Sequence, residues 1–312
     1  LLFSLPLMGS QVLEVLFNLS DVAVVGRFAD YMALGAVGST TLLVTLFTGI
    51  LIGMGAGVNV RVAHELGAGN KKGTEETIHT SLLLCAITGL LVCAICLLFS
   101  GRMLSMMNTK PELIDQAILY MKIYSLGMPA MAIYNFGNGV LSAIGDTKRP
   151  LIYLSIAGVV NVLLNLFFVI SLNMDVAGVA LATVISQVGS CAFVLAFLFG
   201  SKPHVRITFS GYDVRVMRRV LLIGFTPFAI IAVDNVMIIA MNAVLKRYGG
   251  AAQGDMLLTC ATIAQSFMLV VTMPLGGISS STQTILSFNY GARRPDRVRE
   301  AQKRVFVLCA VY

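Results

Sequence analysis

Charge is scarce in this 312-residue chain. Asp, Glu, Lys and Arg make up 12% of it, against about 25% in a soluble domain. With 57% hydrophobic residues and a mean hydropathy of +0.86, that shortage excludes an ordinary soluble domain and indicates an integral membrane protein. Only three histidines occur, scattered near loops, so no ligand cluster is on offer. The six cysteines, Cys85, Cys93, Cys96, Cys191, Cys260 and Cys309, all lie inside apolar runs. Cys93 and Cys96 form a CxxC, but within a helix at lipid depth, where small apolar packing outweighs metal or redox chemistry. No basic region precedes the first apolar run, so no signal peptide is read. The chain opens without Met and stops at Tyr312 inside a new apolar run, and is expected to be a piece of a longer protein.

What is present is a series of apolar runs of about twenty residues, too long for buried soluble helices. They predict spans at roughly 3–26, 36–60, 78–99, 113–143, 152–172, 177–199, 220–245 and 256–288, with a ninth starting near 305. Pro129 and Pro274 lie inside the fourth and eighth, where bends or breaks are expected. The net charge of +7 could suggest nucleic acid. The basic residues instead fall between the apolar runs, as membrane topology requires, so no nucleic-acid partner is expected. Alternate loops carry sixteen Lys and Arg against five, with Lys122 inside a helix. That bias places Arg61 to Lys72, Lys148-Arg149, Lys202 to Arg219 and Arg293 to Arg304 in the cytoplasm, together with the N-terminus.

An internal repeat divides the chain. Gly53 to Thr77 and Gly277 to Ala301 are offset by 224 residues. Each begins with glycine at a helix end and reaches a Gly-Ala pair fourteen residues later, at Gly67-Ala68 and Gly291-Ala292. The expectation is an all-α membrane protein of two pseudo-symmetric six-helix lobes: a complete first lobe over 1–200, a cytoplasmic linker over 201–219, and a partial second lobe over 220–312.

The polar residues at membrane depth carry the functional argument. Gln11, Glu14, Asn18 and Asp21 are spaced three, four and three, which makes one stripe on an otherwise apolar first helix. A carboxylate at that depth is costly and normally lines a cavity with a task. Asn161 and Asn165 sit one turn apart on the fifth span, Thr183 with Ser186 and Gln187 on the sixth, and Tyr120, Tyr124 and Asn135 on the fourth. Singly, each could be a hydrogen bond tying helices together; Asp21 needs polar company at its own depth. Asp234, followed by Asn235, is the only carboxylate in the seventh span, with a helix-packing bond as the plainer reading. Gly49, Gly53 and Gly57 form a small-residue face for close helix approach. Gly67-Ala-Gly-Asn-Lys-Lys resembles a phosphate loop only loosely, because a Walker A loop needs GxxxxGK[ST] after a strand.

In order and spacing, Leu16-Phe-Asn-Leu-Ser-Asp21-Val-Ala-Val-Val-Gly26-Arg27, Ala33 to Gly38, His64 to Asn70, Gly145 to Pro150 and Gly178 to Gln187 resemble the MATE (multidrug and toxic compound extrusion) family. The resemblance covers essentially the whole chain. It implies twelve helices in two lobes forming a V, and export of cationic amphipathic drugs in exchange for H⁺ or Na⁺. The family's first-lobe cation site uses an Asp on helix one, matching Asp21. In the proton-driven branch it is joined by residues that map onto Tyr120, Asn161, Asn165 and Thr183. The family's fifth-helix Asp is here Asn165, which weakens a two-carboxylate mechanism, with Glu14 as a substitute acid. Asp234, beside Asn235, resembles the helix-seven acid of another branch. No cofactor is implied beyond the coupling ion, and Na⁺ at Asp21 or Asp234 is the one metal considered. The expected partners are a small cationic substrate and the bilayer. A monomer in the plasma membrane is expected, and no enzyme activity.

Two other readings compete. A lipid-precursor flippase on the same helix plan would want buried Arg or Lys for a pyrophosphate, and the spans offer almost none. An intramembrane aspartyl protease using Asp21 and Asp234 would need a GxGD signature; Ala143-Ile-Gly-Asp146 is a near miss in a loop.

Overall fold

In a bilayer every backbone N–H and C=O must be satisfied within its own segment, so a chain of apolar runs folds as helices. The computed structural model describes residues 3–29, 31–107, 109–200 and 211–311, with side chains except at 18, 31, 246, 251–255, 258, 259, 262, 263, 266 and 270. Among these residues there are helices and no strands. In order they are α1 (Ser4–Phe28), α2 (Tyr31–Gly67), α3 (Lys71–Met106), α4 (Pro111–Ser125), α5 (Met128–Ala143), α6 (Lys148–Leu166), α7 (Asp175–Leu198), α8 (Val214–Gly291) and α9 (Pro295–Val311). A π-helical turn, Phe167–Ser171, extends α6. Six of the described helices are long and apolar enough to cross a membrane, or seven if the bent α4–α5 pair is one span.

The expected fourth span is the bent pair: α4 and α5 diverge by 46° at a break next to Pro129. Pro274 does not break its helix. In α8 the non-helical residue is Gly250, at φ 58° and ψ −164°, so the bend lies between the seventh and eighth expected spans. Glycine tolerates that left-handed φ, which a side chain would resist. Helices also reach further than hydropathy indicates. Arg61, His64 and Glu65 continue α2, Arg215, Arg218 and Arg219 open α8, and Arg297 to Arg304 ride on α9 rather than in loops. Hydropathy marks the bilayer, whereas hydrogen bonding continues a helix into water. Lys202 and Arg206 of the expected linker, and Asp30, lie outside the described residues.

Small residues set the packing. A Cβ built on Gly53 would lie 2.4 Å from the Gly224 carbonyl oxygen, and one on Gly57 2.4 Å from that of Val220. The Gly49-Gly53-Gly57 face of α2 therefore receives the first half of α8 at backbone contact. Gly55, on another side of α2, meets α5, where a Cβ on Gly139 would lie 2.4 Å from the Gly55 oxygen. Without a hydrophobic drive between helices in lipid, such close approach supplies the attraction.

The 224-residue offset reappears in space as a reciprocal contact. A Cβ on Gly67 would lie 1.9 Å from the Phe288 oxygen, and one on Gly291 2.1 Å from the His64 oxygen. Residue 288 is residue 64 shifted by 224, so the two contacts exchange under the repeat. Around them Thr284 donates to Asn59 Oδ1 at 2.9 Å, and the Ser4 and Ser281 hydroxyls meet at 2.6 Å. Thr147 donates to the Phe3 carbonyl at 3.3 Å, and His79 Nε2 lies 3.0 Å from the Gly211 oxygen. The described parts of the basic-rich connections thus gather at one end, where the two halves of the chain are closed against each other.

Candidate functional site

Asp21 sits two turns before the C-terminal end of α1, on a largely apolar helix. Its face is set by α6, because Gly158 leaves room for the Phe17 ring at a separation that a Cβ could not share (1.9 Å). With Phe17 seated there, Asp21 one turn on faces the same neighbour.

Asn165 Nδ2 donates to Asp21 Oδ1, and also to Asn161 Oδ1 at 3.2 Å. Asn161 Nδ2 donates to Thr183 Oγ1 at 3.3 Å, and the Thr183 hydroxyl donates to the Val179 carbonyl at 3.0 Å. The result is a hydrogen-bonded row from α1 through two turns of α6 to α7. Both amide hydrogens of Asn165 are used. With Asp21 ionised, this orientation of the amide sets both of its hydrogens on oxygen acceptors. Asn161 and Asn165 are buried, at 5% and 0% exposure. Asn165 Oδ1 is buried with no hydrogen-bond partner, and an acceptor in that condition costs about 1–3 kcal/mol. Directly beyond Asn165 comes the π-helical turn, a feature common at functional sites in helices.

Tyr120 is buried and stacks on Tyr124, with ring centroids 5.8 Å apart. Both lie within electrostatic reach of Asp21. Tyr120 thus borders the row without a described bond to Asp21. Glu14 falls elsewhere. It lies within electrostatic reach of Tyr124, which it shares with Asp21, and of Tyr134, two turns from Asp21. Asp234 is exposed and makes no ion pair among the described residues. Asn235 Nδ2 is buried without a partner. The structure joins Asp21, Asn165, Asn161 and Thr183, borders them with Tyr120, and does not bring Asp234 and Asn235 to them. No group of three or more His, Cys, Asp or Glu among the described residues could hold a metal ion.

Reasoning from sequence passed over two features. Gln187 was noted on the sixth span without a role, yet its side chain reaches Tyr124 and its Oε1 is buried without a partner. Arg61 was counted only as loop charge. It is largely buried on α2 and paired with Glu65, which also accepts from Asn70 at 2.9 Å; its i,i+4 spacing was the available signal.

A family model described as MatE matches residues 6–167 and 229–312. The chain is 25% identical over 300 residues to an FAD transporter of Shewanella oneidensis, covering 91% of this chain and 63% of that one. It is 23% identical over 317 residues to the multidrug export protein MepA of Staphylococcus haemolyticus, covering 99% and 68%. The chain spans about two thirds of the length of the curated relatives it matches. Among solved structures, a MOP superfamily transporter from Pyrococcus furiosus superposes with a TM-score of 0.91, at 24% identity, over 98% of this chain and 67% of that one. At that identity the likeness speaks for the fold. The matched family and these relatives are transporters.

Proposed function

The chain belongs to the MatE family of membrane transporters, and from that premise we propose that it forms the first lobe and part of the second of an ion-coupled efflux transporter for organic cations. One observation carries the reading: the row Asp21–Asn165–Asn161–Thr183 ends at membrane depth on an ionisable carboxyl and includes a buried, unpartnered carbonyl oxygen.

The row ties α1 to α6 through a bond to a carboxylate, and such charge-assisted bonds are roughly twice as strong as neutral ones. Protonating Asp21 weakens the tie and releases α1 from α6. A Na⁺ ion would act differently, taking Asp21 and Asn165 Oδ1 as oxygen ligands and tightening the same place. Either ion biases one two-state element, and a substrate favouring the other state is expelled as the ion enters. Asn165 cannot ionise, so the coupling in this lobe rests on Asp21 with neutral partners. Asp234 tunes affinity in the second lobe. The protein acts as a monomer in the plasma membrane, with the basic end in the cytoplasm.

The test is efflux from proteoliposomes under separate H⁺ and Na⁺ gradients. Wild type follows one of the two gradients, and Asp21→Asn follows neither while remaining folded and inserted. Gradient-driven efflux by Asp21→Asn at the wild-type rate removes Asp21 from the mechanism. Loss of ion coupling in Asp234→Asn, with coupling kept in Asp21→Asn, moves the ion to the second lobe.

A further inference from the structure

The seam at the basic end gathers more positive charge than the described carboxylates beside it offset. We propose that Arg61 on α2 and Arg219 on α8 form, across that seam, a binding site for a phosphate oxyanion that holds the two halves of the chain closed. The site is separate from the Asp21 row, and nothing in it depends on which ion drives transport.

Arg61 stands one turn beyond Gly57, and Arg219 directly precedes Val220. Gly57 and Val220 are in backbone contact, since a Cβ on Gly57 would lie 2.4 Å from the Val220 carbonyl oxygen. The two arginines therefore flank one crossing of α2 and α8, and they lie within electrostatic reach of each other. Arg219 is exposed, and Arg61 keeps 15% of its side chain exposed. Glu65 takes Arg61 Nη2 with one carboxylate oxygen, and its other oxygen accepts from Asn70. Arg61 Nε is buried with no hydrogen-bond partner. So is Nδ1 of the adjacent His64, 3.7 Å from Glu65 Oε1. A guanidinium carries five N–H donors, and native structures rarely leave a buried donor orphaned.

The unbalanced charge decides the ligand class. Arg215, Arg218 and Arg219 stand in the first two turns of α8, exposed and without an ion pair among the described residues. The first turn of α8 holds no acid, and Asp213 before it is engaged as the cap, accepting from the Arg215 backbone N–H at 2.7 Å. A helix N-terminus is itself electropositive, so cations there are unfavourable until an anion joins them. Arg61 and Arg219 repel each other as α2 meets α8, and an anion between them turns that repulsion into attraction. The planar fork of arginine matches phosphate oxygens, and one phosphate has enough of them to serve both side chains. Free phosphate and the phosphate of an anionic lipid headgroup share this chemistry. The start of α8 is the end of a span, where headgroups stand.

The test uses the purified chain in nanodiscs, with Ser281→Cys as reporter and the exposed Cys260 and Cys309 changed to Ser. Ser281 is buried against Ser4 of α1 in the closed arrangement, so its maleimide labelling rate reads opening at fixed pH and Na⁺, with no gradient. One arm adds inorganic phosphate to phosphatidylcholine discs, against chloride at equal ionic strength. The other arm places phosphatidylglycerol in the discs, in phosphate-free buffer. At least one arm slows labelling about tenfold, as a ligand does that binds the closed state about ten times more tightly than the open one. Arg219→Gln abolishes the slowing, and Arg219→Lys keeps part of it. Arg61→Lys, which keeps a charge for Glu65 but loses the fork, weakens it. Arg102→Gln, exposed at the far end of α3, leaves it as in wild type. A thermal melt of each variant identifies misfolding, and the exposed Arg219 supplies the decisive variant where Arg61→Lys fails to fold. Slowing by phosphate alone supports a site for the free ion, and slowing by phosphatidylglycerol alone a site for a headgroup. No slowing in either arm overturns the proposal. So does slowing that chloride reproduces, which is screening, or slowing that survives in a folded Arg219→Gln.

Discussion

Asn165 donates to the carboxylate of Asp21 across 144 residues of sequence, joining α6 to α1 at membrane depth. The same amide group also donates to Asn161, so one side chain holds the acid and continues the row. A hydrogen bond to a charged group contributes about 1.5–3 kcal/mol.

Asn165→Ala should therefore shift the apparent affinity for the coupling ion by roughly ten- to a hundredfold, at about 1.4 kcal/mol per factor of ten: tighter for H⁺, because the bond favours the ionised carboxyl, and weaker for Na⁺, which loses an oxygen ligand. Asn165→Asp should retain coupling with an altered pH dependence, because a second titrating acid then stands beside Asp21. Initial efflux rates against ion concentration provide the measurement. An Asn165→Ala midpoint equal to wild type would show that the row does not position Asp21.

Gly291→Val should open the basic end. A Cβ at this position meets the His64 oxygen at 2.1 Å, which is backbone and cannot swing aside. The buried Ser281, 1% exposed in the closed arrangement, should react faster with a maleimide when changed to Cys in that background. Gly38→Ala, where a Cβ finds nothing within 4 Å, should leave the labelling rate unchanged. Equal rates in Gly291→Val and wild type contradict a closing role for the reciprocal contact.

The orientation follows from the placement of charge. Lys72→Cys, exposed at the start of α3, should resist an impermeant reagent added outside intact cells. Lys110→Cys, exposed just before α4, should react. The reverse pattern inverts the topology.

Much of this was legible in the linear chain, for reasons that are local. A run of apolar residues of bilayer length must be helical wherever it lies, because lipid offers its backbone no partner. Asp21 stood out because an acid in such a run is costly unless it has work and company. Asn161, Asn165 and Thr183 were drawn to it by family resemblance, and tertiary packing brings them together. Other features were decided only in three dimensions. Pro274 stays in a continuous helix, while the bend falls at Gly250, whose φ of 58° a side chain would resist. The 224-residue repeat was visible as a pattern, but only folding turned it into Gly67 against Phe288 and Gly291 against His64. Glu14 and Asp21 look equivalent on one helical stripe. They part company because a helix face says which way a side chain points, and the helices packed there decide what it meets.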